Sequence, residues 1–125
     1  MAKAIPDAIL DKTLDEIATA TKQILCSAQP TTYTEANSTY ALADVVVDGS
    51  DFTKANGDVS GRKVTVSAQS GVLIDTSGTG NHIALVRTAD STLIYVTTCT
   101  SQAVTANGSN TCNMPAWKVE LADPT

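Results

Sequence analysis

The chain has 125 residues, of which 42% are hydrophobic and 17% charged, and its formal net charge is -5 at pH 7. A chain of this length forms about one domain and buries a core without needing a metal or a disulfide as a staple. The acidic balance disfavours nucleic acid and anionic membranes as partners, because both are bound through clusters of Lys and Arg. Threonine occurs nineteen times, and its β-branched side chain favours extended backbone, so the composition predicts a mainly β protein.

The first predicted element is an amphipathic helix from about Pro6 to Thr21. Pro6 suits the first helical turn, and Asp7 complements the positive end of the helix dipole. Apolar side chains then recur at steps of three and four residues, at Ile9, Leu10, Leu14 and Ile17. This face has two interpretations: it lies on the core of the chain itself, or it docks on a partner.

After the helix, the apolar period changes to two residues, which is typical of strands. Extended runs follow at roughly ten-residue intervals, separated by clusters of Gly, Asn, Asp and Ser. The runs are QILCSAQP, YALADVVVD, GRKVTVSAQ, GVLIDT, HIALVRT, TLIYVTTCTSQAV and AWKVELA. Together with the helix they predict a mainly β (α+β) fold, a single antiparallel β-sandwich or barrel of about seven or eight strands.

The expected organisation is an N-terminal arm and helix over residues 1–22 and a β-sandwich over residues 23–125, in one compact unit. Alternation is clearest in two of the strands. It predicts that Val64 and Val66 share one face of their strand, and that Trp117, Val119 and Leu121 share one face of the closing strand. The segment DGSDFTKANGDVSG is interpreted as turns, because it lacks the EF-hand spacing of calcium ligands.

Two of the three cysteines lie in the segment TTCTSQAVTANGSNTC. The pair Asn107 and Gly108 favours a hairpin, because both residues tolerate positive φ. The hairpin is expected between the strand that ends near Val104 and the last strand, and Cys99 and Cys112 then lie on its two arms. A disulfide there requires Cβ atoms about 4 Å apart. Free, mostly buried thiols are the default expectation, because cytosolic proteins rarely keep disulfides, and the disulfide is the alternative.

No residue pattern indicates a metal, a cofactor or a small-molecule substrate. The cysteines do not occur in the close pairs that hold zinc, and His82 is the only histidine. Neither the nucleophile-elbow pattern G-x-S-x-G nor the zinc-protease pattern H-E-x-x-H is present. The sequence therefore predicts a protein that is not an enzyme, and a small hydrolase that uses Cys99 or His82 is the opposing hypothesis.

Several segments carry a resemblance to a known family. They are PDAILDKTLDEI at the start, CSAQPTTYTEA (26–36), LADV (42–45), GDVSGRKVTVSA (57–68), LIYVTTCTSQ (93–102) and PAWKVELADPT (115–125). The chain resembles a family of small proteins encoded among the virion structural genes of tailed bacteriophages and prophages. The resemblance covers almost the whole chain, and it rests on fold-forming residues and not on a catalytic signature.

The resemblance implies a non-enzymatic virion component, a head decoration or cement protein that binds the major capsid protein lattice and stabilises the head. Its expected partners are the major capsid protein, copies of itself, for example in a trimer, or both. Its expected place is the capsid surface, after synthesis in the host cytoplasm, since the first twenty residues lack the apolar core of a signal peptide. The alternatives are another virion part, such as a collar, tail or fibre-attachment protein, and a surface module that binds the host.

Overall fold

The computed structural model describes residues 5–124. Its one α-helix in that range, α1 (Asp7–Ile17), begins directly after Pro6, as the sequence predicts. The helix ends at Ile17 and not at Thr21, because the chain then joins a sheet: the Thr21 N–H donates to the Val86 carbonyl oxygen. Residues 1–4 of the predicted N-terminal arm, and Thr125, lie outside the described residues.

The rest of the described chain is mostly strand. The strands are β1 (Lys22–Cys26), β2 (Ala41–Val46), β3 (Phe52–Asn56), β4 (Arg62–Val66), β5 (Gln69–Leu73), β6 (Gly78–Arg87), β7 (Thr92–Val104), β8 (Thr111–Met114) and β9 (Trp117–Leu121). All of their pairings are antiparallel, so the prediction of a mainly β fold with antiparallel sheets is confirmed. Residues 5–124 contain nine strands, against the seven or eight predicted.

These strands form three sheets: β2-β1-β6-β7, β3-β4-β9 and β5-β8. The four-stranded sheet is covered on both faces in its middle. Leu25 and Ile83 pack in one buried cluster and Ile24 and Ala84 in another, on opposite faces of the paired strands. The second face is covered by residues 27–40, whose π-helical turn Glu35–Thr39 brings in the buried Ala36. Burial on both faces explains why β1 shows only weak alternation.

The predicted faces of β4 and β9 are confirmed in the three-stranded sheet. Val64 and Val66 are buried, and Val64 pairs directly with Val119 of β9. β3 was missed, because its flanking Asp, Asn and Gly residues are typical of turns and only Phe52 among its residues is buried. The turn chemistry itself is present, since Asp48 caps a short 3-10 turn at Gly49–Asp51.

The predicted hairpin at Asn107 and Gly108 is wrong. Gly108 has φ of +87° and the Asn107 side chain accepts hydrogen bonds from the next residues, so a turn is present. However, the following strand, β8, pairs with β5, and β9 pairs with β4. Residues 105–110 carry the chain from the four-stranded sheet to another sheet. β7 therefore pairs only with β6 and is an edge strand.

Candidate functional site

The helix face predicted as a docking surface lies mainly on the core of the chain. Leu14 is 0% exposed, Leu10 and Ile17 are also buried, and Leu14 and Ile17 pack in one cluster with strands β4 and β9. Ile9 is 54% exposed and is not part of this buried cluster. The docking interpretation is therefore wrong for Leu10, Leu14 and Ile17, whose apolar area is already buried within the chain.

All three cysteines are free thiols in the structure, so the disulfide between Cys99 and Cys112 is not formed. Cys99 lies on β7 and Cys112 on β8, which belong to different sheets and are not the arms of one hairpin. Burial raises the pKa of both thiols. Burial, with a smaller contribution from Cys99, raises the pKa of Cys26 to about 12.

Residues 5–124 contain no group of three or more His, Cys, Asp or Glu side chains that could hold a metal ion. His82 lies half-buried on β6, where its Nδ1 is 2.6 Å from Asn81 Oδ1. His82 lies on β6 and Cys99 on the neighbouring β7. Because His82 pairs with Thr98, the side chains of His82 and Cys99 point to opposite faces of the sheet. Within the described part of the chain, no helix has the length and apolar character needed to cross a membrane.

The most distinctive surface of the described chain is the outer edge of β7. This strand runs from Thr92 to Val104 and lies at the end of the four-stranded sheet. Its sequence, TLIYVTTCTSQAV, contains no charged residue. In residues 5–124 no backbone hydrogen bond reaches β7 from any element other than β6. The edge therefore offers a row of backbone donors and acceptors to another chain.

A cleft of about 390 Å³ opens beside this edge, between β7 and the segment 113–118 that joins β8 to β9. Leu25 and Ile83 contribute apolar side chains from the sheet, and Met114 contributes one from the opposite wall. Residues 97–100 of β7 all line the cleft, although successive side chains point to opposite faces of a strand. A bulge near Cys99 interrupts this alternation, and the cleft lies against the face of the sheet that carries Leu25 and Ile83, reaching β7 at residues 97–100.

Two buried polar atoms in the cleft lack a hydrogen bond. Three such side-chain atoms occur in residues 5–124, and two of them, Gln23 Oε1 and Trp117 Nε1, belong to residues that line the cleft. Gln23 is 0% exposed, and its Nε2 donates only to the sulfur of Met114, at 3.1 Å. One atom is an acceptor and the other a donor, so a ligand with both functions can satisfy the pair.

The cleft continues toward the start of β7. Tyr95 on β7 stacks on Trp117 of β9, with ring centroids 5.8 Å apart. Beyond this stack a second hollow lies between residues 92–95, α1 and β9. The two hollows follow the seam between β7 and β9, two strands that are edges of separate sheets.

Sequence reasoning did not single out Gln23, Met114 or the β7 edge as a site. One signal was present in the sequence: Gln23 is a polar residue directly before the apolar residues Ile24, Leu25 and Cys26 of the same strand. The absence of charge over the thirteen residues of β7 is a second signal, since exposed edges usually carry charges that prevent pairing. Neither signal shows that Gln23 and β7 line the same cleft, because β6 lies between β1 and β7 in the sheet.

No protein-family model, curated protein or solved structure matches this chain.

Proposed function

We propose that the protein is a non-enzymatic structural component of a tailed-phage virion, a decoration protein that binds the capsid lattice and stabilises the head. Its partner is the major capsid protein, and copies of the chain assemble around it. The resemblance of its fold-forming segments to phage virion proteins supports this role. The observation that carries it is the uncharged outer edge of β7.

An uncharged strand edge of this length favours assembly. Proteins that remain monomeric usually protect edge strands with Lys, Pro, bulges or a covering element. The register of β7 against β6 shifts at two bulges, near Ile94 and near Cys99, but β7 has no charge and no Pro. Addition of a neighbouring chain to such an edge uses backbone hydrogen bonds and therefore does not need a deep pocket. Repetition over a symmetric shell multiplies weak contacts by avidity.

The opposite edge of the same sheet also carries exposed apolar surface. Val46 lies on β2 and is 77% exposed. Its side chain therefore buries little apolar area within the folded chain. Residues 74–76 bond to Leu42 and Ala43 on this side of the sheet, so the surface that β2 offers to a neighbour lies near Val46. A component present in many copies can use one edge for the shell and the other for its own copies.

Copy number in purified particles tests this function. In virions of the phage or prophage that encodes the chain, we expect a stoichiometric ratio to the major capsid protein, measured by quantitative mass spectrometry. A ratio many times lower indicates a collar, tail or fibre-attachment protein, and it contradicts the decoration role. Absence from the particle contradicts the virion role altogether.

Edge variants test the surface that carries the proposal. Thr98→Lys and Thr100→Lys place charges on exposed positions of β7, and we expect both to reduce binding of the purified protein to undecorated heads. Thr53→Lys adds the same charge at an exposed position of β3, in another sheet, and is the matched control. Equal binding by all three variants contradicts a role for the β7 edge.

A further inference from the structure

Two Asn-Gly pairs occur in the sequence, Asn56 with Gly57 and Asn107 with Gly108. Such a pair is chemically labile, because glycine has no side chain to shield its backbone nitrogen from the side-chain amide of the preceding asparagine. In water, this nitrogen can attack Cγ of the asparagine. Both pairs share this local chemistry, so a difference between them in the folded protein depends on the structure around each.

The turn at Asn107 favours this attack. The Asn107 Oδ1 accepts hydrogen bonds from the Ser109 N–H at 3.0 Å, the Ser109 hydroxyl at 3.2 Å and the Asn110 N–H at 2.8 Å. Negative charge develops on this oxygen when a nucleophile adds to Cγ, and hydrogen bonds to a charged oxygen are about twice as strong as those to a neutral one. The three donors therefore stabilise the transition state more than the ground state.

The backbone nitrogen of Gly108 is accessible for this reaction. Within residues 5–124 its N–H donates no hydrogen bond, and apart from its chain neighbours no atom lies within 4 Å of the position that a Cβ would occupy. Asn107 and Gly108 are both exposed, so water and hydroxide reach them. The hydrogen bonds from Ser109 and Asn110 fold the Asn107 side chain back over the peptide group that contains this nitrogen.

Asn56 and Gly57 are held in a different way. The Gly57 N–H donates to the Gly61 carbonyl oxygen at 2.9 Å, so its nitrogen is already engaged. The Asn56 Oδ1 accepts from the Arg62 guanidinium at 2.9 Å, and the two residues pair across β3 and β4. A Cβ at Gly57 would overlap the Ser60 carbonyl oxygen, so the hairpin encloses this glycine closely. The folded chain therefore protects Asn56 from attack.

We propose that Asn107 is a site of spontaneous deamidation in the folded protein, and that its turn selects it over Asn56. The Gly108 N–H gives its proton to hydroxide, and the nitrogen forms a bond to Asn107 Cγ. The Cγ–Nδ2 bond then breaks, and ammonia leaves with a proton from water, which gives a cyclic imide. Water opens the imide: cleavage of the bond to Cγ gives aspartate, and cleavage of the bond to the main-chain carbonyl carbon gives isoaspartate. The overall reaction consumes water and releases ammonia.

The modification changes the charge and the length of the loop at residues 105–110. Either product replaces a neutral amide with a carboxylate, so a chain whose formal net charge is -5 becomes more acidic. Isoaspartate also carries the main chain through Cγ, which lengthens a loop that is held at both ends. The Ala106 N–H donates to the Ser77 hydroxyl, and the Asn110 carbonyl oxygen accepts from the Ile74 N–H.

Timed incubation of the full-length protein tests the site. Folded protein and protein unfolded in guanidinium chloride are held in the same mildly alkaline buffer at body temperature and then digested rapidly under mildly acidic conditions. Mass spectrometry, with fragmentation that distinguishes aspartate from isoaspartate, measures the extent of reaction at each site. In the folded protein we expect Asn107 to react at least about tenfold faster than Asn56, since one oxyanion donor contributes ~10²–10³ in rate in an enzyme site. In guanidinium chloride we expect the two rates to become similar.

A matched pair of variants tests the hydrogen-bond donors. Ser109→Ala removes the hydroxyl donor and keeps both backbone donors, and we expect it to slow the reaction of Asn107 in the folded protein by about threefold to tenfold. Ser101→Ala removes an exposed hydroxyl on β7 and should leave this rate unchanged. Thermal unfolding before the incubation shows whether both variants are folded. The comparison of the two sites in the unaltered protein decides the proposal even where a variant does not fold.

Three results overturn the inference. The first is a rate at Asn56 in the folded protein that equals or exceeds the rate at Asn107. The second is a difference between the sites that persists in guanidinium chloride, which assigns it to the local sequence and not to the fold. The third is an unchanged rate in folded Ser109→Ala, which excludes the hydroxyl as a donor to the reacting amide. All of these measurements use the protein alone, so they are independent of the proposed function.

Discussion

Tyr95 and Trp117 stack with their ring planes 21° apart, and this contact joins two sheets that share no backbone ladder. Tyr95 lies on β7 at the edge of the four-stranded sheet, and Trp117 lies on β9 at the edge of the three-stranded sheet. The stack therefore closes the seam between the sheets at one point and leaves a hollow on each side of it. The indole of Trp117 also lines the cleft beside β7, so the stack and the cleft share this residue.

The stack is expected to contribute measurably to stability. Aromatic pairs contribute about 0.5–1.5 kcal/mol beyond the area that they bury. A double-mutant cycle with Tyr95→Leu and Trp117→Leu, followed by urea unfolding, should give a coupling of about 1 kcal/mol. Tyr40→Leu combined with Trp117→Leu is the control, since Tyr40 packs in a different cluster. Additive effects in the first cycle contradict the role of the stack.

Two apolar residues of α1, Leu14 and Ile9, are expected to contribute differently to stability, because only Leu14 is buried. Leu14→Ala removes a fully buried side chain and should lower the free energy of unfolding by about 2–5 kcal/mol. Ile9→Ala changes a side chain that is mostly exposed and should change it by less than about 0.5 kcal/mol. Chemical denaturation of both variants measures the difference. Similar small effects would mean that α1 does not pack on the chain.

Two glycines with positive φ are expected to differ in their tolerance of Ala. Gly61 has φ of +71° and a Cβ there overlaps the carbonyl oxygen of Leu121, whereas Gly71 has φ of +65° and open space around it. Gly71→Ala should cost about 1–2 kcal/mol for the left-handed backbone alone. Gly61→Ala should cost at least about 1–3 kcal/mol more, because a backbone atom must move. Thermal or urea unfolding compares them, and equal costs contradict the close approach of β9.

The three thiols should react in a defined order. Cys99 is half-buried, while Cys26 and Cys112 are buried, so a thiol reagent should label Cys99 first in the native protein. Labelling of all three is expected only after denaturation. Mass spectrometry without reductant measures the site and extent of labelling. A mass below that of the fully reduced chain indicates a disulfide and contradicts the free thiols.

Stability at alkaline pH should depend on Cys26. Its pKa is raised to about 12 by burial, with a smaller contribution from Cys99, so the folded state favours the protonated thiol. This contribution is complete below the unfolded pKa of about 8.5 and is lost as the pH rises from there toward 12. The free energy of unfolding should therefore fall over this window. Urea unfolding of the unaltered protein and of Cys26→Ala should show a shallower decline in the variant, and parallel declines contradict the assignment.

Local patterns predicted much of the secondary structure. The start of α1 followed from Pro6 and the apolar spacing, and the faces of β4 and β9 followed from strict alternation around Val64 and Val119. β3 was missed because turn-forming residues surround Phe52 and leave too few buried positions to show a period. The end of α1 was misplaced because the Thr21 hydrogen bond to Val86 joins residues far apart in the chain.

The sequence by itself determined a mainly β, antiparallel chain with one amphipathic helix, because side-chain periods and Thr-rich composition act locally. Only the tertiary structure decided which strands are neighbours, since Asn107 and Gly108 make a turn without fixing the partner of the next strand. It also decided that Gln23 and Trp117 line one cleft with their polar atoms unsatisfied. Such a site depends on the packing of three separate strands, and no short-range pattern of residues specifies that arrangement.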